Sequence, residues 1–426
     1  MRDTELSPRM REGVLRVFGE DLSADDVARR IIADVRARGD VAVQHYTREF
    51  DGVDLDDTRV PEHEIDEAIG RVPRDVIDAL EFAAGRIRQF HEKQRIGTWM
   101  DFQDEGALGQ IVRPLERIGL YAPGGAAPYP SSLLMTAIPA RVAGVDELVV
   151  CAPPESDGRV AAVTAVAARI AGVSALFAIG GAQAIAAMAF GTASVPRVDK
   201  ILGPGNIFVV LAKRQVYGEV AIDALPGPTE TMLIADDSAS AELCAADMLA
   251  QAEHDAMASA ILLTTSAELT HAVVRELERQ LPGLARRNVA SESLAARGAV
   301  IVVPSLDVAF EIANDYAPEH LCLLLRDPWT WVARVRHAGG IFVGEHSPEV
   351  IGDYTAGPSH VMPTGRTARF SSPVNVSDFM KIISVIGLNE RGLRAVGPAA
   401  IRIANAEGLT AHAATVERRL ELLRPD

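Results

Sequence analysis

The sequence predicts an α/β protein: two Rossmann-like parallel-sheet domains with a small helical N-terminal arm and a helical C-terminal tail domain. Three observations lead there. Short apolar runs alternate with alanine-rich helical stretches from residue 117 onward, glycine and proline punctuate the ends of those runs, and a second series of the same kind follows from residue 229. Such alternation builds strand–helix–strand units on a parallel sheet, whose strands are covered on both faces and so read as continuous apolar runs.

Residues 1–23 are charged and predict an arm or short helix, and 24–100 read as amphipathic helices with Ser23 as an N-cap. The first series places strands at 117–121, 147–152 and 175–180, with helices over 159–172 and 182–190. The second places strands at 231–235, 260–264, 299–303, 321–325 and 340–344. The tail, 374–426, reads as helical and charged, and no short internal repeat is present. Four segments result: 1–23, 24–120 joined with 229–373, 121–228, and 374–426.

With 426 residues and 48% hydrophobic content the chain can bury more than one core. A formal charge of −16 argues against a surface that attracts nucleic-acid phosphates or anionic lipid. The first twenty residues carry no apolar core, and no apolar run reaches the roughly 20 residues of a membrane span, so a cytoplasmic protein is expected. Cys151, Cys244 and Cys322 lie far apart in apolar surroundings and read as small core residues in a reducing compartment.

Chemistry concentrates in a few polar clusters. Gln251 and His254, three residues apart in an alanine-rich helical pattern, share one helix face, where an imidazole and an amide oxygen can hold a divalent metal. Taken alone, the pair reads more simply as a solvated face. It is joined by Pro318-Glu319-His320, by Gly352-Asp353-Tyr354 with His360, and by Glu407 with His412. Tyr121-Ala122-Pro123-Gly124-Gly125, Gly180-Gly181-Ala182-Gln183 and Leu202-Gly203-Pro204-Gly205-Asn206 each follow an apolar run. That is the edge at which open α/β sheets bind ligands, and bare backbone there can approach a phosphate. Each could also be an ordinary tight turn. No GxGxxG stands in the right context, so a standard dinucleotide fingerprint is absent.

Together with Gly39-Asp40, Phe50-Asp51-Gly52 and Tyr129-Pro130-Ser131-Ser132, these motifs make the chain resemble the histidinol dehydrogenase family over nearly its whole length. The resemblance implies zinc held by Gln251, His254, Asp353 and His412, and NAD contacted by Tyr121, Gln183 and Asn206. It implies His320 as the base that takes the hydroxyl proton, and Glu319 as the carboxylate that activates water for aldehyde hydration. Substrate contacts fall to Thr229, Gln251, His254, Glu319, His320, Asp353, His360, Glu407 and His412, so that L-histidinol is the expected substrate. Segment 121–228 then becomes the NAD-binding domain, and 24–120 with 229–373 the catalytic domain. A homodimer is implied, with exchanged tails that bring Glu407 and His412 to the partner's site.

Thr229 stands where many members have serine, and Ala126 where some carry a small hydroxyl residue. These departures keep open a relative acting on another amino alcohol or a sulfonated diol. A zinc hydrolase needing no nucleotide, and a non-catalytic metal-binding protein, are further alternatives.

Overall fold

The structure is a computed structural model and describes residues 6–124 and 128–424. The chain forms two compact units: Met1–Gln94 with Glu116–Phe379, and Arg95–Leu115 with Met380–Asp426.

The first unit opens with five helices, α1 (Pro8–Phe18), α2 (Ala24–Arg38), α3 (Asp40–Asp51), α4 (Glu62–Arg71) and α5 (Arg74–Glu92). Ser23 caps α2 as expected, its hydroxyl accepting from the Asp26 N–H at 3.2 Å. Two hairpin strands of the other unit intervene, β1 (Trp99–Gln103) and β2 (Gly106–Pro114). The first parallel sheet then begins with β3 (Arg117–Tyr121), α6 (Pro130–Ala143), β4 (Glu147–Ala152), α7 (Ala162–Ala171), β5 (Ala175–Ala178) and α8 (Gly181–Phe190). It is completed by β6 (Lys200–Leu202), α9 (Ile207–Val216) and β7 (Ala221–Ile222).

Strand order is β5-β4-β3-β6-β7, every pairing parallel. The chain therefore winds outward from β3 in one direction and returns to wind in the other. The gap between β3 and β6 is the point where such sheets open a crevice at their carboxyl ends. Helices α2 and α3 bury Val27, Ile31, Val35 and Val43 in the same core as Tyr121, Phe177 and Ile185. The sequence grouped residues 24–120 with 229–373, yet these helices cover the first sheet. An amphipathic pattern records an apolar stripe and carries no information about which surface receives it.

The second sheet comprises β8 (Glu230–Ala235), α10 (Ala241–Ala252), β9 (Ser259–Thr264), α11 (Ala267–Gln280), α12 (Arg287–Arg297), β10 (Ala299–Val302), α13 (Leu306–Tyr316), β11 (His320–Leu324), β12 (Gly340–Val343) and α14 (Glu349–Tyr354). Its order, β10-β9-β8-β11-β12, repeats the winding of the first. Leu233, Cys244 and Met248 fill one face and Met232, Phe310 and Leu321 the other, which is why these strands read as unbroken apolar runs.

The second unit pairs β2 antiparallel with β1 on one side and with β13 (Met380–Leu388) on the other. Two helices follow, α15 (Glu390–Ala406) and α16 (Thr410–Leu422). The tail is thus not wholly helical, as the sequence predicted. It starts as a nine-residue strand because Ile382, Ile383, Val385 and Ile386 are stiff at χ1 and favour an extended backbone. Ile382, Ile383 and Ile386 remain exposed in the single chain.

Candidate active site

Every expected site residue of the first unit lies near one of two cavities. The larger, about 990 Å³, opens at the carboxyl ends of the first sheet. Tyr121 at the end of β3, Pro153 after β4, Gly181 and Gln183 after β5, and Asn206 after β6 all line it, opposite Val14, Phe50 and Asp51. The Tyr121 hydroxyl accepts from the Gly181 N–H at 3.0 Å, which ties two of the strand-end loops together. Asn206 caps α9, its Oδ1 accepting from the Phe208 and Val209 N–H groups, so its Nδ2 is the end left for a ligand. The loop before it is held rigidly. Gly203 donates its N–H to Asp223 at 2.8 Å and its carbonyl accepts from Lys213 at 3.0 Å, while Lys213 and Asp223 form a buried ion pair. Gly203 has φ +121°, and a Cβ there would stand 2.2 Å from the Tyr121 carbonyl oxygen, so only glycine fits.

The smaller cavity, about 440 Å³, is lined by Tyr129, Ser131, Ser132, Pro204, Gly205, Asn206, Thr229, His254, Glu319, His320, Asp353, Tyr354 and His360. Asn206 belongs to both cavities. The second sheet contributes from the amino ends of its strands, since Thr229 precedes β8 and His320 opens β11. The first sheet contributes from its carboxyl ends.

Side chains in the smaller cavity form a connected set. Gln251 is buried and donates its Nε2 to Thr229 Oγ1 at 2.8 Å; Thr229 in turn donates to Glu319 Oε2 at 2.5 Å. The Glu230 N–H donates to the same carboxylate oxygen at 3.0 Å. Burial raises the Glu319 pKa, against the pull of His320 and these donors. His320 donates Nδ1–H to the Glu230 carbonyl at 3.2 Å, which leaves Nε2 as the exchanging atom. That Nε2 is buried without a hydrogen-bond partner, 3.6 Å from Asp353 Oδ1. Burial opposes a charge on the ring, but Asp353, Glu319 and Glu349 prevail and hold His320 up at about 10. Three buried carboxyl groups stand around one imidazole, and each favours the imidazolium.

His360 donates Nδ1–H to the Asp353 carbonyl at 2.6 Å and its Nε2 accepts from the Ser132 hydroxyl at 3.1 Å. Burial keeps its pKa low, so the ring is neutral. One local expectation changes. Gln251 sits in the last turn of α10 while His254 lies beyond the helix, its N–H donating to the Gln251 carbonyl at 3.3 Å, so a turn and not a helix face brings them together. Glu319 and His320 are positioned by the end of one helix and the start of a strand. They follow Ala317, which ends α13 with φ +55°, and lead into β11.

Glu407, at the end of α15, and His412, in the first turn of α16, are exposed residues of the second unit. Ala126 lies outside the described residues.

Comparison with known proteins now decides the family. A sequence model described as Histidinol dehydrogenase matches residues 19–420. The chain belongs to the histidinol dehydrogenase family. It is 55% identical over 408 residues to the histidinol dehydrogenase of Deinococcus radiodurans, covering 95% of this chain and 93% of that one. It is 51% identical over 412 residues to that of Moorella thermoacetica, covering 95% and 97%. The crystal structure of histidinol dehydrogenase from Elizabethkingia anophelis superposes with a TM-score of 0.91 at 36% identity, over 95% of this chain and 94% of that chain. The histidinol dehydrogenase family comprises oxidoreductases acting on CH–OH groups, and the fold expected from the sequence is that of the family.

Some residues at these cavities carried no expected role. Ser132, quoted in a motif, turns out to meet His360 Nε2 at 3.1 Å. Lys213 and Asp223 gave no sequence signal, since a helical lysine and a loop aspartate ten residues apart read as solvated charges. Asp51 was part of a motif only, yet it ends in the larger cavity with Oδ2 buried and unpaired.

Burial lifts the Asp51 carboxyl to about 6. A native pKa above the ordinary ~3.9 means that the folded state holds the proton more tightly, so stability falls as pH rises from about 4 through the native value of about 6 and the full cost is present above it. Asp51→Asn is expected to raise the melting temperature at pH 8, by about 2 kcal/mol or less of added stability, and to add nothing at pH 4. Scanning calorimetry at both pH values checks this. An equal change at both would mean that the carboxylate is not desolvated.

Proposed function

We propose that this chain oxidises L-histidinol to L-histidine through L-histidinaldehyde, in two successive NAD-dependent steps that close histidine biosynthesis. The observation that carries the reading is the pairing of Glu319 and His320 with His254, Asp353 and His360 in one cavity, which shares Asn206 with a strand-end cavity fit for a dinucleotide. A hydrolase would have no use for that second cavity.

The larger cavity suits NAD. Buried Gln183 has an unpaired Oε1 there, and α8 begins at Gly181 without a side-chain cap, so the first-turn N–H groups after that of Gly181, which donates to the Tyr121 hydroxyl, suit a phosphate. When bound, NAD supplies the hydride acceptor for both steps. The donor set of the smaller cavity suits zinc: an imidazole from His254, a carboxylate from Asp353, and the oxygen of Gln251, whose amide nitrogen is already committed to Thr229. Among the described residues no three His, Cys, Asp or Glu stand together as a metal group, and the proposed set draws only His254 and Asp353 of those types from the first unit. His412 is the fourth. When bound, zinc supplies a charge that orients the substrate's nitrogens and oxygen.

The remaining roles belong to the chain itself. His320 Nε2 accepts the hydroxyl proton in each oxidation. It can do so only when Asp353 no longer favours the proton on the ring, and a carboxylate occupied as a ligand meets that condition. Glu319, hydrogen-bonded to Thr229 and to the Glu230 N–H, takes a proton from the water that adds to the aldehyde. His360, kept neutral, presents one face of the pocket to the substrate. Thr229 holds Glu319 in place and retains one lone pair for a substrate donor.

A homodimer with exchanged tails follows from the same reading. It would place Glu407 and His412 at the partner's site, and Phe102 and Ile386, 79% and 74% exposed in the single chain, suit a subunit contact. Among the described residues no helix is long and apolar enough to cross a membrane, and a cytoplasmic location is part of the proposal.

Formation of NADH from L-histidinol, set beside a panel of amino alcohols and sulfonated diols, tests the reading. The expected result is two NADH per L-histidinol, with other alcohols slower by about 10²-fold or more, since an analogue that leaves buried polar groups of the site unpaired is rejected at least that strongly. Faster turnover of a sulfonated diol would assign the chain to a different substrate.

A further inference from the structure

Asp51 is the last residue of α3 and lines the larger cavity beside Tyr121, Gly181 and Gln183. Its Oδ2 and the Gln183 Oε1 are both buried acceptors without a partner. Nothing local stabilises this carboxylate. It stands at a helix C-terminus, where the helix dipole disfavours negative charge, and burial penalises it further. Two orphaned acceptors in one cavity call for donors from a ligand.

The chemistry of a dinucleotide narrows the choice. Its phosphates only accept, so the donors it can offer are the ribose hydroxyls and the two amino groups. A vicinal diol presents adjacent donors to one carboxylate, and a carboxylate at that place repels a 2′-phosphate. Arg16, the cation lining the same cavity, is exposed and already donates to the Glu49 carbonyl at 2.8 Å, so it does not neutralise the buried Asp51. We propose that Asp51, with Gln183 beside it, receives the adenosine-ribose hydroxyls of the cofactor and selects NAD against NADP. This rests on reading the larger cavity as the dinucleotide site.

Titration calorimetry of the full-length protein with NAD, NADP, 2′-deoxy-NAD and nicotinamide hypoxanthine dinucleotide tests it without reference to turnover. Wild type should bind NAD at least about 30-fold more tightly than NADP and about tenfold more tightly than 2′-deoxy-NAD, as like-charge repulsion and a lost charge-assisted hydrogen bond require. Asp51→Asn should cut the NAD/NADP ratio to about threefold or less, chiefly by tightening NADP. Should that variant fail to fold, the 2′-deoxy-NAD comparison on wild type decides: equal binding of NAD and 2′-deoxy-NAD overturns the proposal. An unchanged NAD/NADP ratio in a folded Asp51→Asn protein also overturns it. So does a loss of discrimination confined to the hypoxanthine analogue, which would put Asp51 on the adenine amine. A different pattern, in which wild type binds no NAD or Gln183→Ala binds it undiminished, overturns the cofactor site itself.

Discussion

His320→Asn is expected to lower turnover of L-histidinol by about 10²-fold or more, and oxidation of supplied L-histidinaldehyde by a similar factor, because in the proposed reaction both hydride transfers need a proton removed from oxygen. The substitution is conservative in position: an asparagine amide can still donate to the Glu230 carbonyl that now receives Nδ1–H. What it lacks is the exchanging Nε2. Glu319→Gln behaves differently. The amide oxygen can go on accepting from Thr229 and from the Glu230 N–H, so the pocket keeps its shape and only the proton exchange is lost. Oxidation of the alcohol is then expected to fall strongly, with oxidation of an already hydrated aldehyde falling less. Steady-state rates on both substrates distinguish the two roles. Equal losses for Glu319→Gln on alcohol and hydrated aldehyde would remove it from the hydration step, and a His320→Asn protein with near-normal rates would remove His320 as the base.

Mixing His320→Asn with His412→Ala protein is expected to restore activity from two inactive parents. Each core defect and each tail defect lies on a different chain, and in a two-fold dimer with exchanged tails one site of the heterodimer collects both while the other collects neither. Co-refolded heterodimers are therefore expected to recover about half of the wild-type activity, and the His412→Ala parent to have lost zinc along with turnover. The exposure of Glu407 and His412 in the single chain suits residues awaiting a partner. If each subunit completes its own site, every site keeps one defect and the mixture stays inactive. Full zinc and normal turnover in the His412→Ala parent would strike it from the ligand set.

Both sheets were legible because their strands are covered on two faces: Leu233 and Met232 face opposite cores yet are equally apolar, and such runs stand out against helical segments rich in alanine. The shorter β6, three residues long, and the hairpin of β1 and β2 escaped notice. The first is too brief to show a pattern, and all five residues of β1 are exposed in the single chain. The tail strand β13 does carry a signal in its run of isoleucine and valine, set directly before the charged helices of the tail.

At the site the division is sharper. Sequence alone determined the family and nominated Gln251, His254, Glu319, His320, Asp353 and His360, because the chemistry needs those side chains in motifs that survive as short local patterns. Tertiary structure decided what each of them does to the others. The hydrogen-bond chain from Gln251 through Thr229 to Glu319 spans separations of 22 and 90 residues, and the Ser132–His360 contact joins residues 228 apart. The raised pKa of His320 comes from Asp353, Glu319 and Glu349, two of which belong to α14 and reach it only through the fold. The unpaired carboxylate of Asp51 is unpaired only once α3 has closed over the first sheet. Burial and partner choice are properties of the folded surroundings, and a side chain's charge and proton affinity depend on both.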